Sequence, residues 1–258
     1  MAKTLIKERA EYQRYIIDYL VNDNGFIERK YNETNYDQVN AMDRKLFLSF
    51  IKDTQDEGYQ KILRQYGGNA DDIIVNKYND LVLSKNGMTL DALKHGFDVG
   101  LEHFDLLYTK PTTDINTKSI EDYNKNRFSV MEEVYHKEGE RIDLVLFLNG
   151  IPLFAIELKA NTSGQNYKDA IKQWRNDRTP TSRLLKWKKG ALVCFAVDFK
   201  RAYMTTHLEK QKTIFLPFNK GDDASGTGNT SNPHGFGVNY LWEDIFTKDM
   251  ILLLLTKY

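Results

Sequence analysis

The sequence predicts an α/β fold, a mixed β-sheet flanked by helices. One observation is a nearly unbroken apolar segment, RIDLVLFLNGIPLFAIELKA (141–160), with the length and the central Asn-Gly signal of a buried β-hairpin. The other is order: helical periodicity precedes the hairpin and follows it, and more strand-like runs come after, an alternation that suits helices layered on a sheet. At 258 residues, 41% hydrophobic and 12% aromatic, the chain has material for one large domain or two small ones with ample core.

The elements follow in chain order. Leu5, Ala10, Tyr12, Ile16, Tyr19 and Leu20 recur at spacings near three and four and predict a helix over 4–21, stopped by NDNG. Between 40 and 110 the pattern is mixed and polar, with helices expected near 43–53 and 55–66 and short apolar strands at 72–83 and 104–109. KPTTDINTKS reads as a loop and 119–127 as a short helix; the hairpin then occupies about 141–159. NTSGQ makes a turn suited to capping the helix YKDAIKQWRND, whose apolar side is Tyr167, Ala170, Ile171 and Trp174. ALVCFAV, AYMTT and TIFLPF (191–197, 202–206 and 213–218) are strand-like. A Gly/Asn/Ser-rich loop (219–237) leads to a closing stretch of helical periodicity, and there is no internal repeat.

Several function classes drop out. Lys plus Arg and Asp plus Glu both number 36, so net charge neither points to nor excludes a nucleic-acid partner; a local basic patch would decide. The single cysteine, Cys194, lies in an apolar run and makes no disulfide framework, and five scattered histidines suggest no zinc site. The opening MAKTLIKERAEYQRY has no secretory pattern, and MILLLL is too short to span a bilayer. A cytoplasmic protein without a membrane segment is the expectation.

The hairpin carries charges where burial is expected: Asp143 near its start, Glu157 and Lys159 at its end. Buried charges are costly unless paired or bound to metal. Alternation puts Glu157 and Lys159 on one face with Ala155 and Leu153, and Asp143 with Val145 and Phe147. Asp143 meets Glu157 only if paired residue numbers sum to about 300; a plain two-residue Asn-Gly turn would pair Asp143 with Ile156 instead. A three- or five-residue turn, or a bulge, is therefore required, and Gly150 and Pro152 permit one. In that register two carboxylates converge beside an ammonium, a donor set suited to Mg²⁺, with Lys159 placed to stabilise or orient a nucleophile. The chemistry is metal-dependent phosphodiester hydrolysis; the alternative is a structural ion pair at a strand end.

These residues resemble the PD-(D/E)XK nuclease core in the form found near the N-terminus of type I restriction enzyme R (motor) subunits. NGFIERKYNETNYDQVNAMDRKLFLSFIKDTQ, AIKQWRNDR, CFAVDFKRAYMTTHL and TIFLPFNKG are similar to that family as well. The resemblance implies Asp143 and Glu157 as metal ligands and Lys159 as the catalytic lysine. It implies Gln173 as the supporting glutamine of the following helix, although Asp177 stands where a tyrosine is usual. It also implies an acid from the first helix near the metal, Glu8 or Glu11. Residues 1–135 would be N-terminal additions, about 136–218 the nuclease core, and 219–258 a loop and helix leading toward a helicase motor. ATP would serve only that motor, since no phosphate-binding loop stands here. Double-stranded DNA, the motor in cis, and modification and specificity subunits are the implied partners.

Other features admit both a functional and a plainer reading. Lys168, Lys172, Arg175, Arg178, Arg183, Lys186, Lys188 and Lys189, with Trp174 and Trp187 among them, form a basic stretch. Phosphate contacts from Lys172, Arg175, Arg178, Arg183 and Lys186 are one reading, a solvated helix face the other. His136 is a conceivable general base or a surface histidine, and Arg127 a phosphate contact or an acid's partner. A stand-alone repair or recombination nuclease, or an inactive DNA-binding or subunit-docking domain, remain alternatives to the restriction endonuclease.

Overall fold

The computed structural model describes residues 9–32, 35–111, 117–160, 164–221, 228–233 and 235–257. Helix α1 (Arg9–Asn22) buries Tyr12, Ile16, Ile17 and Leu20, the inner stripe expected of an amphipathic helix. Strand β1 (Ile27–Arg29) and the small hairpin β2 (Tyr36–Asp37) and β3 (Met42–Asp43) lead into α2 (Arg44–Thr54). Asp43 caps α2 by accepting the Leu46 amide at 3.0 Å. Then come α3 (Asp56–Tyr66), α4 (Ala70–Leu83), α5 (Thr89–His95), the short pair β4 (Phe97–Val99) and β5 (Glu102–Phe104), and α6 (Thr117–Asn124). The main strands β6 (Phe128–Lys137), β7 (Glu140–Leu148) and β8 (Ile151–Leu158) follow, then α7 (Tyr167–Asn176) and β9 (Val193–Val197). Strands β10 (Ala202–Thr205) and β11 (Leu216–Pro217) and helix α8 (Lys248–Lys257) end the described chain.

Seven strands form one mixed sheet in the order β1-β6-β7-β8-β9-β10-β11. β1 with β6 and β8 with β9 run parallel; the other neighbours are antiparallel. Helix α7 is thus the crossover of a β8–α7–β9 unit, the connection that parallel neighbours need. One core, including Tyr12, Phe47, Tyr78, Leu146 and Ile156, fills the face covered by α1, α2, α4 and α8. A second, including Val145, Phe147, Ala155, Ala170 and Trp174, fills the face covered by α7. Strands β7 and β8 are therefore buried on both sides, which is why their sequence is a continuous apolar run rather than an alternating one.

Several segments differ from the sequence expectation, among them 213–218, of which only Leu216–Pro217 is strand. Residues 72–83, expected as a strand, belong to helix α4. The β-branched run Ile73–Ile74–Val75 mimics a strand, but Ile74, Tyr78 and Val82 are buried at a spacing of four, and Asp71 and Asp72 sit in the first turn, where the helix dipole favours acids. Residues 104–109 hold only the end of β5. Strand β6 went unread because Glu132 and Glu133 interrupt its apolar character; Glu133 has φ +52° in mid-strand.

Candidate active site

The hairpin tip sets the site. Asn149 (φ +49°) and Gly150 (φ +81°) both adopt left-handed geometry, the condition for a two-residue hairpin loop whose twist matches its strands. Asn149 is buried and secured by its side chain, which accepts from the Arg127 amide (2.6 Å) and donates to the Leu106 carbonyl (2.9 Å). Leu148 pairs with Ile151 and Phe147 with Pro152, but beyond a register shift Leu146 pairs with Phe154 and Leu144 with Ile156. The extra residue is Leu153, beside a proline with no amide to give the ladder, so the irregularity falls where it is cheapest. From Leu146 to Leu144 the paired numbers sum to 300, as a meeting of Asp143 with Glu157 requires. The required offset comes from a bulge, not a longer turn. The bulge also moves Leu153 into the core opposite Ala155, correcting the expectation that both share the face of Glu157.

Asp143 and Glu157 are 1% and 0% exposed, on adjacent antiparallel strands. Asp143 Oδ2 accepts the Leu158 amide at 2.8 Å, which ties it to the strand carrying Glu157. Glu157 Oε1 accepts from Arg178, whose Nε and Nη2 both lie 2.7 Å away. Glu157 Oε2 is buried with no hydrogen-bond partner among the described residues. Burial, and then the charge of Asp143, push the Glu157 carboxyl well above the usual carboxylate range; Arg178 and Lys159 oppose that shift. Lys159, at 7% exposure just beyond β8, is held by its amide on the Val197 carbonyl (2.9 Å). Its ammonium donates to Gln173 Oε1 from α7. Helix α7 is fixed by a capping box between Asn166 and Asp169 and by buried Ala170 and Trp174. Asp177 is the exposed C-cap of that helix.

The structure brings together Asp143, Glu157, Lys159 and Gln173, all singled out in the sequence, and adds Arg178, which sequence reasoning placed elsewhere. The signal was present: a carboxylate buried at a strand end needs a cation, and the end of the next helix can supply one. Arg178, expected to face phosphate, is 6% exposed and committed to Glu157. The rest of the basic stretch divides similarly. Arg175 donates to the Thr213 carbonyl (2.7 and 3.2 Å) and partly buried Arg183 to Asn79 (3.0 Å) and the Lys189 carbonyl, whereas Lys168, Lys172, Lys186 and Lys188 are exposed. Lys168 and Lys172 border an open cleft with Arg175, Tyr203 and Phe215. The segment is not one exposed basic face. Trp174 is core, its indole donating to the Phe195 carbonyl, and Trp187 is exposed and stacked on His207.

His136 is buried rather than superficial, with Nδ1 2.8 Å from Ser182 Oγ and Nε2 3.5 Å from Glu140. Burial pushes its pKa down to about 4. Arg127 binds Asp53 and Ser49, the acid-partner alternative. Glu8 lies outside the described residues, and Glu11 is exposed on α1. Among the described residues no cluster of three or more His, Cys, Asp or Glu is arranged to hold a metal, and no helix is long and apolar enough to cross a membrane. Two carboxylates with one buried, partnerless oxygen nevertheless fit a hard cation that keeps several waters.

Residues 6–213 match the family described as type I restriction enzyme R protein N terminus. A Methanocaldococcus jannaschii protein named as the MjaVIIIP endonuclease subunit of a type I restriction enzyme is 25% identical over 201 residues, 75% of this chain and 19% of that protein. A second from the same organism, named as the MjaIXP endonuclease subunit, is 29% identical over 107 residues, 39% of this chain and 10% of its own length. The chain thus spans at most about a fifth of the curated relatives it matches.

Proposed function

The chain belongs to the family of type I restriction enzyme R protein N termini, and from that premise we propose that it is the metal-dependent endonuclease domain of such a subunit, hydrolysing phosphodiester bonds of double-stranded DNA. Residues 136–218 form a PD-(D/E)XK core in this reading. The observation that carries it is the bulge-set register bringing Asp143 and Glu157 together, with Glu157 Oε2 buried and unpartnered and Lys159 two residues on. Asp143 and Glu157 would hold Mg²⁺, which when bound supplies Lewis-acid polarisation of the scissile phosphate and a lowered pKa for an attacking water. Lys159, pinned by Gln173, directs its ammonium at the nucleophile or the developing charge. Exposed Lys168, Lys172 and Lys186 steer the phosphate backbone. A helicase motor in cis and separate modification and specificity subunits supply translocation and sequence recognition.

The Glu157–Arg178 contact favours a second reading, a structural ion pair in a sheet. Asp143→Ala separates the two. Under the nuclease reading it abolishes cleavage of a plasmid bearing one recognition site by the assembled complex, and removes Mn²⁺ binding to this chain in calorimetry. Unchanged Mn²⁺ binding and cleavage would leave only the ion pair.

A further inference from the structure

Arg178 contacts Glu157, one of the two proposed metal ligands, and has no role in the chemistry just described. It arrives from the segment after α7, and that segment is fastened on both sides. The Thr179 amide and hydroxyl donate to Glu140 (2.7 and 2.6 Å), and Lys210 Nζ donates to the Arg178 carbonyl (2.6 Å). Arg178 is 6% exposed, so it is a fixture of the interior and not a surface side chain that happens to lean inward. Its Nε and Nη2 address the same oxygen, Glu157 Oε1 at 2.7 Å, instead of spanning the carboxylate as a two-oxygen fork would, and Nη1 donates to the Asp177 carbonyl (3.3 Å). Oε2 is therefore left open, buried and without a partner among the described residues.

The charges complete the argument. With both carboxyls ionised, the form of Glu157 that Arg178 favours, Asp143 and Glu157 set two negative charges against the positive ones of Lys159 and Arg178, all at 7% exposure or less. In that form the site is electrically balanced before any metal arrives. A divalent cation entering it meets carboxylates that already have counter-ions and stands close to two fixed positive charges, with little water to screen them. An anionic ligand restores the balance, and a DNA phosphate brings that charge to the place where the cation binds.

We propose that Arg178 is a built-in counter-ion for Glu157 that keeps divalent-cation binding weak until the DNA phosphate joins it. This rests on the nuclease reading above. The consequence is that cleavage competence is withheld from the free domain and conferred by substrate, since metal and DNA each strengthen the other's binding by the same factor.

The test is calorimetric titration of this chain with Mn²⁺ at fixed pH, comparing wild type with Arg178→Met, Arg178→Lys and Asp143→Ala, each first checked for cooperative unfolding. Arg178→Met, which keeps the bulk and removes the charge, is expected to bind Mn²⁺ at least tenfold more tightly than wild type. Arg178→Lys, which keeps the charge, should stay within about threefold of it. Arg178→Met binding no tighter than wild type, or Arg178→Lys tightening as much as Arg178→Met, overturns the proposal. If the methionine variant does not fold, wild type decides alone: Ca²⁺, which resists turnover, should bind at least tenfold more tightly when the chain is saturated with a short DNA duplex, and equal affinity with and without duplex overturns the idea. Loss of Mn²⁺ binding in Asp143→Ala without tightening in Arg178→Met defeats the counter-ion role while sparing the metal site; binding unaffected by Asp143→Ala defeats the nuclease reading itself.

Discussion

Burial decides what the titratable side chains around the sheet can do. Glu157 is completely enclosed and retains a partner because a lone buried carboxylate would be destabilising by roughly 3–5 kcal/mol. His136, on β6 and two strands away from β8, is likewise enclosed, and burial favours its neutral form. An unfolded imidazole titrates near pH 6.5, whereas this one resists protonation down to about 4. As pH falls through 6.5 the unfolded chain alone takes up the proton, so stability present above that value is lost between about 6.5 and 4 and then levels off. The shift sets an upper limit of about 3 kcal/mol on that loss. His136→Asn is expected to remove this part of the pH dependence, so that urea-denaturation curves of variant and wild type converge toward pH 4. Curves that stay parallel from pH 7 to 4 would show that His136 carries no such linkage.

The hairpin is the element on which the site depends, and its tip is the least tolerant point. A Cβ on Gly150 would fall 2.4 Å from the Asp43 carbonyl oxygen and 2.7 Å from the Phe47 amide, at a φ of +81° that side chains rarely adopt. Gly150→Ala should therefore lower stability by about 3 kcal/mol, seen as a reduced denaturation midpoint with unchanged slope; a loss under about 0.5 kcal/mol would mean the tip can retreat from α2. The same element shows what the sequence makes legible. Two-sided burial wrote β7 and β8 as an apolar run and left three charges conspicuous, so Asp143, Glu157 and Lys159 could be picked out. The register could not be chosen between a longer turn and a bulge, because one inserted residue depends on how Pro152 and Leu153 settle against their neighbours. Arg178 was hard to place for a related reason: a basic residue after a basic helix reads as a phosphate contact or a solvated side chain, and only the fold reveals that the chain turns inward there. Helix α4 was mistaken because three successive β-branched residues outweighed a buried spacing that tertiary packing makes dominant.

Across the whole molecule, helix α7 and its exit connect everything the proposed chemistry uses. It joins β8 to β9, anchors through Trp174 in the core, presents Gln173 to Lys159, and delivers Arg178 to Glu157 from its end. The N-terminal helices and α8 cover the opposite face of the sheet. Binding surfaces and chemical groups are thus separable, because Lys159 is nearly enclosed and adds little to any exposed phosphate-binding surface. The most direct measurement replaces that one side chain. Lys159→Ala, in the assembled restriction complex, is assayed for nicking and linearisation of a circular plasmid with one recognition site, beside DNA binding and ATP hydrolysis on the same samples. Cleavage abolished with DNA binding and ATPase nearly intact is the expected result. Undiminished cleavage would contradict the account and leave the charges at the end of β8 as an ion pair within a sheet.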